Sequence, residues 1–134
     1  MFEKKSNYQN ALKPKLIKLQ NFEDVRGRLT SINFQEIGFS ISRVFTILCS
    51  DPELSRGEHA HKSCWQFLFS EAKSFQITYK NLDATGIAKV DQGSGLLVPP
   101  WNWISVKFEN KGDLVVVICS DIYDKDDYIK SEPN

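Results

Sequence analysis

The chain has 134 residues, which is the usual size of a single domain and is long enough to bury a core. Its 17 basic residues balance its 17 acidic residues, and this zero net charge argues against a general affinity for nucleic acid or for an anionic membrane. The three cysteines lack CxxC spacing, so we expect buried thiols in a reducing compartment. The first fifteen residues lack the apolar core of a signal peptide, and no apolar run approaches the roughly 20 residues of a membrane helix. We therefore expect a cytoplasmic protein.

After a polar N-terminal extension over residues 1–15, short apolar runs of strand length recur along residues 16–134. In chain order they are KLIKLQNF, LTSINF, SRVFTILCS, CWQFLFS, SFQITYKN, GLLVPP, ISVKFEN and LVVVICSD, with turn-forming segments between them. SFQITYKN alternates, with Phe75, Ile77 and Tyr79 on one face, as a half-buried antiparallel strand does. Only SDIYDKDDYIK at the C-terminus suggests a helical turn. The pattern predicts one all-β domain, a sandwich, jelly roll or barrel.

Both histidines of the chain lie in the segment RGEHAHK, two positions apart. On a strand, residues two apart share a face, so His59 and His61 point the same way, and Trp65 follows on that face if the strand continues. One interpretation is a surface pair on a loop. Another is acid–base chemistry, because two imidazoles on one wall can take a proton from one atom and return it to its neighbour, as isomerases do.

A metal site is the third interpretation, because His-x-His on a barrel strand begins many metal-binding cupin sites. Those sites usually add a glutamate four or five residues later and another histidine from a later strand. This chain has Trp65 and Gln66 at the first place and no third histidine. A catalytic metal normally takes three protein ligands, so we expect none here.

Five segments in fixed order resemble the WxcM-like nucleotide-sugar 3,4-ketoisomerases. They are DVRGRLTSI (24–32), FSISRV (39–44), RGEHAHK (56–62), VPPWNWISV (98–106) and SDIYDKDDYI (120–129), and the likeness extends from about residue 16 to residue 130. The resemblance implies a jelly-roll barrel of the cupin fold and a homodimer. It also implies an enzyme that moves the carbonyl of a dTDP-linked 4-keto-6-deoxyhexose from C4 to C3, in deoxysugar and polysaccharide biosynthesis, without a metal or other cofactor.

The same resemblance implies roles for individual residues. His59 and His61 become the acid–base pair, with His61 as the principal base. Arg26, Arg43 and Arg56 match positions that the family uses around its pocket, where a guanidinium suits phosphate. The alternative for each is an ordinary solvent-facing arginine, and it is stronger for Arg26 than for the other two. Gln66 and Trp103 complete the predicted substrate-binding set. Trp101 and Trp103 suit stacking on the base or sugar, or packing in the core or at a dimer interface.

Three departures from the family pattern leave the function open. Phe45 stands where members often carry a tyrosine, Ile104 where they carry a histidine or arginine, and Trp65 where a glutamate is common. Phenylalanine and isoleucine neither donate a hydrogen bond to an enolate oxygen nor carry a proton. The alternatives are therefore a different or less polar sugar, altered isomerisation, or a noncatalytic sugar-nucleotide-binding relative, with a metal-dependent cupin enzyme as the weakest.

Overall fold

Nearly all of the regular structure is β, in a computed structural model that describes residues 7–133. The strands, in chain order, are β1 (Lys15–Lys18), β2 (Gln20–Asp24), β3 (Gly27–Ser31), β4 (Arg43–Leu48), β5 (Arg56–His61), β6 (Gln66–Ser70), β7 (Ser74–Lys80), β8 (Thr85–Asp91), β9 (Ser94–Val98), β10 (Trp103–Phe108), β11 (Leu114–Cys119) and β12 (Tyr128–Ile129). A one-turn helix α1 (Phe34–Ile37) follows β3, and a short 3-10 helix (Lys125–Asp127) precedes β12.

Two five-stranded antiparallel sheets form the body of the fold. One has the order β1-β9-β6-β11-β4 and the other the order β12-β5-β10-β7-β8, while β2 and β3 pair only with each other. In these two sheets, most neighbouring strands are not consecutive in the sequence, as expected of a jelly roll. The prediction of one all-β, jelly-roll domain is confirmed.

The main core lies between the inner faces of the two sheets. Its buried members include Leu68, Ile77, Val106 and Val117. They alternate with outward-facing residues along their strands, as in β7, where the predicted alternation of Phe75, Ile77 and Tyr79 is confirmed by their burial. Cys49, Cys64 and Cys119 are buried free thiols, as the sequence predicted.

Each sheet also buries apolar side chains on its outer face. On the first sheet, Phe67 and Ile118 pack with Leu19 and with Ile37 of α1. On the second sheet, Ala60 and Trp103 pack with Tyr8, whose hydroxyl donates to the carbonyl oxygen of Ser131 at 2.7 Å. Strands buried on both faces are continuous apolar runs rather than alternating ones, which explains the sequences of β6 and β11.

Some elements were not anticipated from the sequence. Strand β8 is missing from the predicted runs because its outer face is polar and only Val90 is fully buried. The predicted C-terminal helical turn is present as the 3-10 helix. Residues 1–6 of the predicted N-terminal extension lie outside the described residues. No helix within residues 7–133 has the length and apolar character needed to cross a membrane.

Candidate active site

A bulge in β5 precedes the two histidines. Glu58 is an extra residue on β5, because its neighbours Gly57 and His59 pair with consecutive residues of β10. Gly57 and Glu58 have positive φ angles of 88° and 57°. A bulge reorients the side chains beside it and is often found next to an active site. Beyond this one, His59 and His61 share a face as predicted, with ring centroids 5.1 Å apart.

His61 forms a buried dyad with Asp127. Its Nδ1 lies 2.8 Å from Oδ2 of Asp127, and the other carboxylate oxygen accepts from the backbone N–H of Ser63 at 2.7 Å. Burial alone would raise the pKa of Asp127, but the hydrogen bonds from His61 and Ser63 outweigh burial and lower it. The carboxylate is therefore ionised and only accepts hydrogen bonds, so Nδ1 of His61 must carry the proton.

The dyad leaves Nε2 of His61 as the basic atom. Burial lowers the pKa of His61, and the nearby charges of His59 and Arg43 add to this effect, while Asp127 opposes it. The ring is therefore neutral at pH 7, with its lone pair on Nε2. This atom is buried and has no hydrogen-bond partner among the described residues. A neutral, oriented imidazole with a free nitrogen is what a general base requires.

His59 has a similar arrangement with a weaker partner. Its Nδ1 donates to the carbonyl oxygen of Gly57 at 2.8 Å, which again leaves Nε2 as the acceptor. The side chain is half-buried, and burial lowers its pKa although the Gly57 carbonyl opposes this. Because the backbone carbonyl bears no full charge, His59 lacks the anionic support that Asp127 gives His61.

Tyr128 covers both imidazoles. The two-residue strand β12 pairs with β5 so that Tyr128 lies directly opposite His61. Its ring centroid is 4.4 Å from that of His61 and 4.7 Å from that of His59. The 3-10 helix before it is capped by Asp124, whose side chain accepts from the N–H of Asp126. This capped turn places both Asp127 and Tyr128 beside the histidines.

A cavity of about 250 Å³ opens beside these residues. Its lining combines polar groups of the candidate site with apolar side chains of the core: Phe45, Thr46, Ile47, Arg56, Gly57, His59, Gln66, Leu68, Ile104, Val106, Val117 and Tyr128. Phe45 and Ile104 thus line the same pocket as His59, as their positions in the sequence implied. Trp65, the third departure from the family pattern, lies after the end of β5. Its side chain is half-buried and is not part of this lining.

A sulfur-centred cluster lies next to the cavity. Arg43 and Gln66 are the register partners of Cys119 on either side, and each directs a side-chain nitrogen to its sulfur, at 3.8 and 3.7 Å. A hydrogen bond from Cys64 lowers the pKa of the Cys119 thiol, and Arg43 and Gln66 reinforce this against the effect of burial. The Arg43 guanidinium lies 5.0 Å from the centre of the Phe45 ring.

The remaining predicted binding residues lie in three different settings. Arg56 lines the cavity and also a neighbouring one of about 320 Å³. Arg26 is 86% exposed at the tip of the β2–β3 hairpin, where it pairs with Asp24 and is outside the cavity lining. Trp103 points away from the cavity because Ile104, its neighbour on β10, points in; its indole N–H donates to the Lys130 carbonyl at 3.1 Å.

One group among residues 7–133 brings three metal-binding side chains together, namely His61, Cys64 and Asp127. His59 is not part of it, so the two histidines do not join a common set of three ligands there. Within the group, Asp127 already accepts hydrogen bonds from His61 and Ser63. The pKa of the Cys64 thiol is raised, first by its hydrogen bond to Cys119 and then by burial. These contacts suit a proton-transfer dyad better than a metal centre.

Sequence reasoning did not assign roles to Asp127, Tyr128 or Cys119. The first two lie in the segment SDIYDKDDYI, which carried part of the resemblance, but that segment has six acidic or tyrosine side chains that are equally plausible on composition. Only the pairing of β12 with β5 selects Asp127 and Tyr128. Cys119 gave no signal, because a cysteine that ends an apolar strand is usually a core residue.

The chain is similar to known proteins over most of its length. The family described as FdtA: WxcM-like, C-terminal matches residues 12–134. A TDP-4-oxo-6-deoxy-alpha-D-glucose-3,4-oxoisomerase of Aneurinibacillus thermoaerophilus is 32% identical over 122 residues, which are 90% of this chain and 88% of the relative.

Two solved structures are similar over comparable lengths. The QdtA sugar 3,4-ketoisomerase of Thermoanaerobacterium thermosaccharolyticum, in complex with TDP, is 33% identical with a TM-score of 0.81 and covers 88% of each chain. The WlaRB TDP-quinovose 3,4-ketoisomerase of Campylobacter jejuni is 31% identical with a TM-score of 0.79, covering 88% of this chain and 92% of that one.

Proposed function

We propose that this chain, which belongs to the FdtA, WxcM-like C-terminal family, is a nucleotide-sugar 3,4-ketoisomerase acting on a dTDP-linked 4-keto-6-deoxyhexose. The relatives named above are ketoisomerases of TDP-linked sugars, and the fold and the histidine pair suit the same reaction. The observation that carries the proposal is the His61–Asp127 dyad, which holds a neutral imidazole with a free Nε2. The His61 ring contacts the rings of His59 and Tyr128, and these two residues line a cavity of about 250 Å³.

The chemistry follows from that dyad. His61 takes the proton from C3 of the 4-keto sugar, and the electron pair of the C–H bond forms the C3=C4 bond of an enediolate. The proton then returns at C4, and the hydroxyl proton moves from the C3 oxygen to the C4 oxygen, which leaves a carbonyl at C3 and a hydroxyl at C4. His59 lies 5.1 Å from His61 between ring centroids and serves as the second acid–base group. No net oxidation occurs, so the reaction needs no external electron acceptor.

The three predicted arginines have different proposed roles. Arg56 lines both the sugar cavity and the neighbouring one, so it can reach a diphosphate that joins a sugar in the first to a nucleoside beyond it. Arg43 lies near the imidazoles and Tyr128 and supports charge on the sugar side. Arg26 contributes only if another copy of the chain brings it to a pocket, since it is outside the lining of this one.

We extend the proposal to the biological setting. The reaction belongs to deoxysugar and polysaccharide biosynthesis, and three free cysteines suit a reducing cytoplasm. A homodimer is the proposed assembly, because no other strand within residues 7–133 pairs with the β2–β3 hairpin, which exposes Phe22 and Leu29.

The test is solvent deuterium incorporation during turnover of a dTDP-4-keto-6-deoxyhexose, with the 3-keto product followed by NMR. His61→Asn should lower turnover by about two to four orders of magnitude with folding and TDP binding retained, because the general base is lost. His59→Asn should cost less if His59 mainly orients the sugar or reprotonates it. Near-normal turnover by the His61 variant would remove it as the base.

A noncatalytic sugar-nucleotide-binding role is the second candidate, favoured by the apolar Phe45 and Ile104 in the pocket. It predicts TDP-sugar binding without deuterium incorporation into any 4-keto sugar. Metal analysis of protein purified without a His-tag separates both candidates from a metal-dependent enzyme, which would hold a stoichiometric metal.

A further inference from the structure

Gln66 supplies the one side-chain amide among the described residues that line the cavity of about 250 Å³. It is buried on β6, on the same strand face as the core residue Leu68. One end of an amide donates hydrogen bonds and the other end accepts them, yet the two ends have nearly the same shape. The end that meets a bound sugar therefore depends on what holds the amide from behind.

Cys119 holds the nitrogen end of this amide. It is the register partner of Gln66 on β11, and its sulfur lies 3.7 Å from Nε2 of Gln66. On the opposite side, Arg43 of β4 directs Nη2 to the same sulfur at 3.8 Å. A guanidinium has no acceptor atom, so the sulfur must meet it as an acceptor. An acceptor sulfur attracts the N–H end of the Gln66 amide and repels its carbonyl oxygen.

The oxygen end of the amide remains for a ligand. The bond to Cys119 is the one side-chain hydrogen bond that Gln66 makes within residues 7–133, and Leu68, Val106 and Val117 beside it in the lining have no donor. A buried acceptor in an apolar wall selects a ligand with a donor at that place, because leaving it unpaired is costly.

The chemistry of the sugar identifies that donor. A 4-keto-6-deoxyhexose that is joined to the diphosphate through C1 has only two hydroxyl groups, at C2 and C3. The C3 hydroxyl is converted to a carbonyl during isomerisation. The C2 hydroxyl is therefore the donor that substrate and product share.

Resting on the proposed function, we infer that Cys119 is a positioning residue that turns Oε1 of Gln66 toward the C2 hydroxyl, so that the pocket selects 2-hydroxy over 2-deoxy sugars. Cys119 is fully buried and outside the cavity lining, so it acts through Gln66 and does not touch the sugar. Phe45 and Ile104 in the same lining offer a hydroxyl no partner. Gln66 thus satisfies one particular hydroxyl in a pocket that is otherwise poor in partners.

The experiment measures binding by calorimetry with dTDP-6-deoxyglucose and dTDP-2,6-dideoxyglucose, which lack the keto group and cannot isomerise. Wild type should bind the 2-hydroxy sugar about 10–100-fold more tightly. In Cys119→Ala and in Gln66→Leu this preference should fall to about twofold or less, because the acceptor is turned away or absent. Cys119→Ser keeps an acceptor and should retain most of the preference. Any effect through Arg43, which also loses the sulfur, acts on both ligands and cancels in the ratio.

Val115→Ala is the matched control, because Val115 is buried on the same face of β11 and is outside the cavity lining. It should lose stability and keep the wild-type preference. A wild type without a preference, or an unchanged preference in Cys119→Ala or Gln66→Leu, would overturn the inference.

The proposed function is tested separately, by turnover of dTDP-4-keto-6-deoxyglucose and of its 2-deoxy counterpart. A wild type that shows the binding preference but isomerises neither sugar would overturn the ketoisomerase function and still support the role of Cys119. A wild type that binds neither nucleotide sugar would overturn both.

Discussion

At the scale of single residues, the two histidines have different partners although they occupy equivalent positions on one strand face. His61 donates to a carboxylate and is buried, whereas His59 donates to a backbone carbonyl and is half-buried. An anion at Nδ1 holds the ring in one tautomer and stabilises the imidazolium that forms when Nε2 takes a proton. This difference supports His61 as the principal base, which the family resemblance predicted and which stays a prediction.

The carboxylate of Asp127 can be tested directly. In Asp127→Asn the side-chain amide can donate to Nδ1 of His61, which would move the ring proton to Nε2 and remove the basic lone pair. We expect turnover to fall by about 10²–10⁴-fold, close to the loss in His61→Asn, with little change in TDP binding. Steady-state kinetics and calorimetry measure these effects. Asp126→Asn, at the exposed neighbouring carboxylate, is the control and should retain full activity; normal turnover in Asp127→Asn would contradict the dyad.

Phe45 and Ile104 place apolar side chains in the pocket at two positions where the family resemblance predicts polar ones. Burying a sugar hydroxyl without a partner costs roughly 1–3 kcal/mol, so the pocket should favour a less polar hexose. We expect weak activity on dTDP-4-keto-6-deoxyglucose and a clear increase in the double variant Phe45→Tyr with Ile104→His. Product formation by both proteins under identical conditions measures this. Full family-like activity of the wild type would show that polar groups at these two positions are dispensable.

At the scale of elements, the bulge in β5 and the C-terminal β12 build the site together. The bulge inserts Glu58 immediately before the histidines, and the antiparallel pairing of β12 sets Tyr128 opposite His61. The 3-10 helix ends at Asp127 and β12 begins at Tyr128, so one short segment places both the carboxylate and the phenol beside the histidines. Two short segments of irregular backbone thus complete a site whose other walls are regular strands.

Gly57→Ala tests the bulge. Gly57 has φ of 88°, and a β-carbon there would lie 3.2 Å from the Ile104 carbonyl oxygen, so the bulge must shift. We expect a loss of unfolding free energy of about 1–3 kcal/mol and a marked drop in turnover as His59 moves. Gly112→Ala is the control: its φ is 91° but no atom lies within 4 Å of its added β-carbon, so it should lose stability and keep turnover. Equal turnover in both variants would show that the bulge does not position the site.

At the scale of the whole molecule, two sheets share one core, but the strands of the β2–β3 hairpin pair with neither sheet and contact the body through side chains such as Arg28, which pairs with Glu71. Phe22 and Leu29 are cross-strand partners in this hairpin, and both are more than half exposed. A lone two-stranded hairpin is marginally stable in water. A second copy of the chain that packs on it would bury these side chains and cover an unpaired edge.

We therefore expect a homodimer in solution. Light scattering coupled to size exclusion at micromolar concentration should give twice the mass of the chain. Replacing Phe22 and Leu29 together by lysine should shift the protein toward monomer, because the charges would be buried at the interface. Ile87→Lys, at an exposed position on β8, is the control and should leave the dimer intact. A wild-type monomer under these conditions would contradict the proposed assembly.

The family and the fold were predictable from the sequence. Short apolar runs, the alternation in β7 and the order of five motifs sufficed, and the structure and the family match confirm them. Local sequence patterns carry this information because the alternation of buried and exposed residues on a strand, and the formation of a turn, depend on residues only a few positions apart. For the same reason the shared face of His59 and His61, two residues apart on one strand, was predictable.

Only the tertiary structure decided which residues complete the site. Asp127 is 66 positions from His61, and Cys119 is 53 from Gln66. No local rule pairs residues so far apart, since the contacts depend on sheet order and register. The same dependence turned Ile104 into the cavity and Trp103 away from it, and placed Arg26 on a hairpin outside the cavity lining. Sequence determined the types of chemistry available, and strand pairing, which is non-local, decided which side chains meet to perform it.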